Sequence, residues 1–272
     1  MTRIFSKAIL ASLSVWVLGA CERPADNPLL SSEAAASSQN EDLPTLGLMT
    51  SLPLYWSLDA DFGELATGDA PVPWQRVILE KAHKLAPMDT LSPIPGLKGS
   101  DDPVDPLGGL EHLAIVQPRG LSPSDNVALD KWVRAGGRLL LVLDPALTGD
   151  YALPFGDPRR PVGAALIPPV LDRWGLKMLF DETQPLEPVE AALGEHRILL
   201  ELFGTLSVAE EVDSRCELLA GDVVAQCTID EGQVTVVADA ALFEFPIEAR
   251  EGEKALAEGK DPLSQLVQFA FE

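Results

Sequence analysis

Residues 112–143 read HLAIVQPRGLSPSDNVALDKWVRAGGRLLLVL, two apolar runs on either side of a helical pattern. The runs at 112–116 and 138–143 are short and nearly continuous, which predicts strands buried on both faces of a sheet. Between them, Ser122-Pro123-Ser124-Asp125 offers a helix-capping Ser, a Pro at the first helical position and an acidic residue at the third. Gly136-Gly137 ends that helix. The stretch therefore predicts a β-α-β unit with a right-handed crossover.

Further elements of the same kind extend this unit in both directions. An apolar strand candidate lies at 44–55, and residues 73–85 place apolar side chains at helical spacing. Strand candidates at 223–229 and 233–238 flank Asp230-Glu231-Gly232, which favours a hairpin with Gly at a positive φ. Residues 262–271 close the chain as a helix. The predicted fold class is therefore α/β, a parallel doubly wound sheet with a C-terminal β-hairpin.

Two segments of the chain resemble a known family. Residues 112–118, the capped helix and Gly136-Gly137-Arg138-Leu139-Leu140-Leu141-Val142-Leu143-Asp144-Pro145 look like the core of the GldG-like auxiliary proteins of ABC transporters. Residues 171–178 and Asp181 look like the segment that follows it there. The resemblance implies a class I glutamine amidotransferase-like fold on the outer side of a transporter membrane. Family members usually carry transmembrane helices, whereas this chain would depend on a lipid anchor.

The site where such a fold carries its nucleophile is altered in this chain. Amidotransferases expose a Cys on a sharp Gly-x-Cys-x-Gly turn after a strand, and the matching residues 142–146 contain no Cys, no Ser and no flanking Gly. Pro145 also stiffens the turn. These residues do not fit a strained turn that presents a nucleophile. The sequence therefore predicts loss of that chemistry and a protein that is not an enzyme.

Two carboxylates follow predicted strands. Asp144 and Asp239 would lie where open parallel sheets usually bind ligands. Capping of nearby backbone N–H groups is the competing interpretation of both residues. They are the candidate ligand-binding residues of the chain, and they would be the catalytic carboxylates if the chain were a hydrolase.

The other candidate metal ligands do not predict a metal site. Asp101-Asp102-Pro103-Val104-Asp105 is predicted to be a solvated loop, with weak Ca²⁺ binding as the alternative. His83, His112 and His196 are far apart in the sequence, and none has a neighbour with metal-ligand spacing. Each is predicted to be structural or on the surface, with His83 on the outer face of a helix. No metal and no cofactor are predicted.

The first 21 residues carry an export signal. Arg3 and Lys7 precede an apolar stretch at 8–18, and Gly19-Ala20 lead directly to Cys21. Eleven helical residues at ~1.5 Å each would cover about half of a ~30 Å hydrocarbon core, so the stretch is too short to span a bilayer. The ending resembles the lipobox of bacterial lipoproteins. We therefore expect a signal peptide at 1–20, cleavage before Cys21 and lipid on its sulfur; a plain secretory signal is the alternative.

The segment after Cys21 is predicted to be a flexible tether. Residues 21–43 are rich in Ser, Ala, Glu, Asp and Asn and lack hydrophobic periodicity, so they cannot bury enough apolar surface to order themselves. A coil of this length reaches roughly 25 Å. The tether would join the anchor to a single domain at 44–272, facing the periplasm. Whether the inner or the outer membrane holds it stays open.

Charge excludes one class of partner. Loss of Arg3 and Lys7 with the signal peptide would lower the 20 basic residues to 18 against 42 acidic ones, a net charge of −24. Binding to nucleic acid needs a basic surface, so nucleic acid is not an expected partner. Anionic lipid headgroups would repel the domain as well, which leaves the lipid on Cys21 as its contact with the membrane.

The two remaining cysteines predict a disulfide. Cys216 and Cys227 flank two apolar runs around Gly221-Asp222, a pattern typical of a hairpin. An oxidising compartment would join them. Two buried thiols are the alternative.

Two hypotheses about function, from different classes, follow, and a membrane-associated sugar or peptide binder, suggested but not located by the five Trp residues, is a third. The first is a lipid-anchored, non-catalytic component of an ABC-type transport system, with transporter subunits as partners. The second is a periplasmic hydrolase or ligand-binding lipoprotein that uses Asp144 and Asp239. A cavity that holds both carboxyls with raised pKa values would favour the second hypothesis.

Overall fold

A computed structural model describes residues 43–96, 102–209, 215–244 and 261–272. The predicted signal peptide, Cys21 and all but the last residue of the predicted tether lie outside the described residues. Within the described ranges, none of the helices is both long and apolar enough to cross a membrane.

The described part of the chain alternates strands and helices in its first half and is mostly strands in its second. The strands are β1 (Thr45–Thr50), β2 (Lys84–Pro87), β3 (His112–Val116), β4 (Arg138–Val142), β5 (Leu176–Phe180), β6 (Val189–Leu193), β7 (His196–Leu200), β8 (Gly204–Val208), β9 (Arg215–Leu219), β10 (Val224–Ile229) and β11 (Gly232–Val237). The helices are α1 (Phe62–Thr67), α2 (Trp74–Leu79), α3 (Pro123–Arg134), α4 (Pro169–Arg173), α5 (Ala241–Glu244) and α6 (Pro262–Phe271).

A seven-stranded sheet in the order β2-β1-β3-β4-β11-β10-β9 organises the described residues. The five strands from β2 to β11 are parallel to their neighbours, whereas β10 and β9 are antiparallel. The connection from β1 to β2 moves toward one edge of the sheet and that from β3 to β4 toward the other. Right-handed crossovers therefore place α2 and α3 on opposite faces.

The predicted fold class needs correction. The sequence predicts a parallel doubly wound, amidotransferase-like sheet with a C-terminal β-hairpin, but the sheet is mixed, and two further two-stranded antiparallel sheets, β5–β8 and β6–β7, accompany it. The hairpin of β10 and β11 forms across residues 230–231, as its turn residues predict. It does not stand apart, because β11 pairs in parallel with β4 and carries β10 into the main sheet.

Local signals near β3 and β4 form as expected. The Ser122 hydroxyl accepts from the Asp125 backbone N–H, and the Asp125 carboxylate accepts in return from the Ser122 backbone, which makes a complete capping box at the start of α3. Gly136 has φ +106°, a conformation that glycine adopts at little cost. The two strands pair in register, with His112 opposite Arg138.

The outer antiparallel strands carry a disulfide. Cys216 on β9 lies opposite Cys227 on β10, and their sulfurs are bonded. The pair joins the edge strand to the interior of the sheet, where Cys227 is buried.

Candidate functional site

Adjacent strands bring Asp144 and Asp239 together. Val142 at the end of β4 pairs with Val237 at the end of β11, and the Leu143 backbone N–H still donates to the Val237 carbonyl. Two residues further along each strand, the same register places Asp144 beside Asp239. Neighbouring strands are ~4.8 Å apart, so the two side-chain carboxyls lie close together at the carboxyl edge of the parallel strands.

Asp144 is almost fully buried and reaches across to the next strand. One carboxylate oxygen accepts from the Ala146 backbone N–H at 2.7 Å, and the other accepts from the Ala240 N–H at 2.9 Å. Burial raises the pKa of Asp144 to about 6, the two N–H groups oppose that rise, and the negative charges of Glu244 and Glu201 add to it. Asp144 therefore titrates close to neutral pH.

Asp239 is also buried and is held in the same manner. Its carboxylate accepts from the backbone N–H groups of Ala241 at 2.5 Å and Glu201 at 2.7 Å. Burial, followed by the negative charge of Asp144, raises the pKa of Asp239 to about 8 despite these hydrogen bonds. Both aspartates thus cap backbone N–H groups, which the sequence suggests as the alternative to ligand binding. Both also have strongly raised pKa values.

Two glutamates that the sequence does not single out complete an acidic site. The Glu244 carboxylate, at the end of α5, accepts from the backbone N–H groups of Thr148 at 3.1 Å and Gly149 at 2.9 Å, and from the Tyr151 hydroxyl at 2.6 Å. The Thr148 hydroxyl lies 3.1 Å from a carboxylate oxygen of Glu201. We call Asp144, Asp239, Glu201 and Glu244 the carboxyl cluster.

The loop from β4 to α4 is shaped to meet this cluster. A Cβ atom on Gly149 would lie 2.1 Å from a Glu244 carboxylate oxygen, so a side chain there would move the Glu244 carboxylate from this position. Burial and the hydrogen bond to Glu244 raise the pKa of Tyr151 far above its usual value, which keeps the phenol a hydrogen-bond donor. No short sequence pattern signals these contacts, since Glu244 lies 96 residues beyond Thr148.

Gln117, directly after β3, supports Asp144 through the main chain. Its side-chain amide donates to the carbonyl oxygens of Asp144 at 3.0 Å and Val162 at 2.9 Å, and its side-chain oxygen accepts from the Asp144 N–H at 2.8 Å. Gln117 is fully buried and has φ 45°, a backbone conformation that residues other than glycine rarely adopt. This unfavourable backbone conformation thus occurs at the residue whose side chain holds the main chain of Asp144, where the loop leaves β4.

The histidines lie away from the carboxyl cluster. His112 begins β3 and His83 precedes β2, at the amino edge of the parallel strands, and their rings are 3.1 Å apart from Nδ1 of His112 to Nε2 of His83. His83 is 6% exposed, so its predicted position on an outer helix face is wrong: the helix ends at Leu79. Among the described residues, no three His, Cys, Asp or Glu side chains form a group able to hold a metal ion.

Comparisons with known proteins identify no family for this chain. No family model and no curated protein matches it. Similar solved structures include the exo-β-1,4-mannosidase Op5Man5 from Opitutaceae bacterium strain TAV5, at 14% identity and a TM-score of 0.47, over 88% of this chain and 38% of that one. The β-galactosidase from Rahnella sp. R3 has 10% identity and a TM-score of 0.41 over 90% of this chain and 35% of its own.

A further β-galactosidase, from Bacillus circulans sp. alkalophilus, matches at 13% identity and a TM-score of 0.40, over 90% of this chain and 38% of that one. The chain thus spans well under half the length of these enzymes. Similarities at this level give neither a family nor an activity to the chain.

The comparisons do correct three expectations. The similar structures named above are glycosidases, and no family model matches the chain, so the predicted resemblance to GldG-like or amidotransferase-like proteins is wrong. The non-catalytic role in an ABC-type transport system depended on that resemblance and is withdrawn with it. The expectation that the chain is not an enzyme is not kept either: it depended on the lack of a catalytic group of residues in the sequence, and the structure brings two buried carboxyls with raised pKa values together.

Proposed function

We propose that this protein is a hydrolase whose acid–base groups are Asp239 and Asp144. One observation carries the proposal: two buried carboxyls at the carboxyl edge of neighbouring parallel strands have pKa values of about 8 and about 6. Pairs of titratable groups whose surroundings separate their pKa values are typical of acid–base catalysis.

The two pKa values suggest the role of each group. At pH 7 Asp239 is mostly protonated and can act as the general acid, whereas Asp144 is mostly ionised and can act as a base or nucleophile. Hydrolysis of a glycosidic bond by two closely spaced carboxyls uses the protonated one to protonate the leaving oxygen and the ionised one to attack the sugar carbon, and water then releases the sugar from the enzyme. A glycoside is therefore the substrate class that fits the pair.

Neighbouring carboxylates raise the pKa values of both aspartates. The charges of Glu244 and Glu201 act on Asp144, and the charges of Asp144 and Glu244 act on Asp239. Hydrogen bonds from Thr148, Gly149 and Tyr151 hold Glu244 in place. Fixed negative charge beside Asp239 disfavours its ionisation and so favours the acid form.

Lipid attachment at Cys21 is proposed for the same protein. The support is the lipobox-like ending of the predicted signal peptide, followed by a polar segment without periodicity. The hydrolase would then act at the surface of a membrane, in the bacterial envelope.

Activity on neutral aryl glycosides tests the hydrolase. We expect the full chain, purified from solubilised membranes, to show a bell-shaped dependence of kcat/KM on pH with limbs near 6 and 8. Asp239→Asn and Asp144→Asn should each lower kcat by about 10²-fold or more. Asp150→Asn, an exposed carboxylate in the same loop, is the matched control and should leave kcat unchanged.

Folding is checked separately in each variant by circular dichroism and thermal melting. Folded Asp239→Asn and Asp144→Asn proteins that keep wild-type turnover would overturn the proposal. Absence of hydrolysis by the wild-type chain at every pH from 4 to 9 would do so as well.

A further inference from the structure

A cavity lies along the same edge of the sheet as the carboxyl cluster, at the ends of β1 and β2. It has a volume of about 370 Å³, and aromatic and charged residues contribute to its lining. The residues that bear on its chemistry are Thr50, Pro53, Tyr55, Trp56, Asp89 and Arg159. The carboxyl edge of parallel strands is where open α/β sheets usually bind ligands.

Trp56 provides an accessible aromatic surface at this cavity. Its side chain is 52% exposed, although large aromatic side chains normally contribute to a core. Tyr55 packs its ring at 79° to the indole with centroids 4.8 Å apart, and the Arg76 guanidinium lies 4.1 Å from the Tyr55 ring. Arg76 and Tyr55 thus support the indole from beside it, while half of its surface faces solvent.

Arg159 and Asp89 add hydrogen-bonding groups to the same cavity. Asp157 holds two of the guanidinium nitrogens of Arg159, at 3.1 Å and 2.9 Å, which orients the planar group. Three further N–H donors of that guanidinium are directed elsewhere. Asp89 is exposed and supplies acceptor oxygens. An aromatic face next to oriented donors and acceptors matches a ligand that has both an apolar face and many hydroxyl groups.

One loop connects this cavity with the carboxyl cluster. The loop from β4 to α4 contributes Asp144 and Tyr151 to the cluster and Arg159 to the cavity. The Val162 backbone N–H donates to the Ser51 hydroxyl at 3.2 Å, which holds the loop against the end of β1. Because β1 lies two strands from β4 and three from β11, strand spacing puts the cavity roughly 10–14 Å from the cluster.

We propose that the cavity between Trp56, Asp89 and Arg159 binds one ring of a neutral carbohydrate chain, with the apolar face of the ring stacked on the indole. The remainder of the chain would run along the edge toward Asp144 and Asp239, a part of the inference that rests on the proposed hydrolase. Sugar rings offer an apolar C–H face together with hydroxyl donors and acceptors. The net charge of −22 disfavours phosphorylated or other polyanionic ligands.

Calorimetric titration with neutral tri- to pentasaccharides of glucose, mannose and N-acetylglucosamine tests the cavity. The full chain carrying Asp239→Asn is used, so that the sugar is not cleaved during the measurement. We expect binding at about millimolar to micromolar Kd, with tryptophan fluorescence changing along the same isotherm. Trp56→Ala should weaken binding about tenfold or more, and Arg159→Ala should weaken it as well.

Phe155→Ala is the matched control, since Phe155 is an aromatic residue of the same loop that is 94% exposed and does not contribute to the cavity. It should leave Kd unchanged. Binding that Trp56→Ala leaves intact, or no binding to any sugar of the panel, would overturn the cavity proposal. Binding that is lost in Trp56→Ala, with no hydrolysis by the wild-type chain, would overturn only the hydrolase proposal. Hydrolysis with a KM that Trp56→Ala leaves unchanged would overturn only the cavity proposal.

Discussion

At the scale of single residues, burial outweighs hydrogen bonding in setting the protonation of Asp239. Two backbone N–H groups lower its pKa, yet burial and the charge of Asp144 raise it to about 8. The folded chain therefore binds this proton more tightly than the unfolded chain does. The contribution of Asp239 to stability is greatest below about pH 4, the usual aspartate value, and falls as the pH rises through 8. Ionisation of Asp239, the proposed general acid, thus lowers the stability of the folded chain at alkaline pH.

The imidazole pair at the opposite edge has the reverse dependence on pH. Burial, followed by the charge of His112, lowers the pKa of His83 to about 4 from 6.5, and burial and the charge of Arg138 lower that of His112, with Glu111 opposing. The unfolded chain binds these protons more readily, so stability is present above pH 6.5 and is lost as the pH falls toward 4. Phe271 of α6 packs against both rings.

His83→Phe should reduce the acid sensitivity of the fold. Phenylalanine keeps a ring near Phe271 and removes the proton site, so urea midpoints at pH 7.5 and pH 5 should differ less than in the wild type. His196→Asn, at the start of β7, is the control and should retain the wild-type difference. An unchanged difference in His83→Phe would contradict this account of the acid sensitivity.

Gly232 shows what a turn pattern leaves out. The sequence predicts a glycine with positive φ there, but Asp230 has the positive φ, 50°, and the backbone of Gly232 lies outside that region. The reason for glycine is steric: a Cβ atom would lie 1.9 Å from the Val133 carbonyl oxygen at the end of α3. The hairpin was predictable from its local residues, whereas this contact depends on packing between elements far apart in the sequence.

At the scale of elements, the sequence predicts segments better than their partners. The β3–α3–β4 unit follows from buried runs and a capping box that are complete within 112–143. The placement of β11 beside β4 does not follow, because residues 143–231 lie between the strands and no local pattern selects the pairing. The sequence therefore identifies Asp144 and Asp239 as separate candidates, whereas only the pairing of β4 with β11 shows that they lie close together. Glu201 and Glu244 were missed because they join the site through tertiary contacts alone.

The disulfide stabilises the edge of the sheet where β9 is attached. It closes a loop with a sequence separation of 11, for which the chain-entropy relation gives about 3 kcal/mol. Cys216→Ala/Cys227→Ala should lower the free energy of urea unfolding by about that amount, with secondary structure retained. Reduction of the wild-type protein should reproduce the loss and leave the double variant unaffected. Equal stability of the oxidised wild type and the double variant would contradict a stabilising role.

At the scale of the whole molecule, charge distribution constrains where the proposed hydrolase can act. With residues 1–20 removed, 42 acidic residues would face 18 basic ones. Such a domain is repelled by anionic headgroups, so the protein would stay at a membrane through a covalent anchor and not through its surface. The tether predicted from the sequence, with an expected reach of roughly 25 Å, would let the carboxyl edge meet substrates away from the bilayer. The proposed preference for neutral carbohydrate agrees with the same charge.

Lipid attachment at Cys21 is the step on which this arrangement depends. Cys21→Ser removes the thiol that would receive the lipid, so we expect an uncleaved precursor that incorporates no labelled palmitate in growing cells. Cys216→Ser/Cys227→Ser is the matched control, because it changes the other two cysteines and should retain full labelling. The anchored fraction is measured by detergent partitioning of the envelope. Equal labelling of wild type and Cys21→Ser would exclude the anchor, whereas a cleaved, unlabelled wild-type protein released into the soluble fraction would indicate a plain secretory signal.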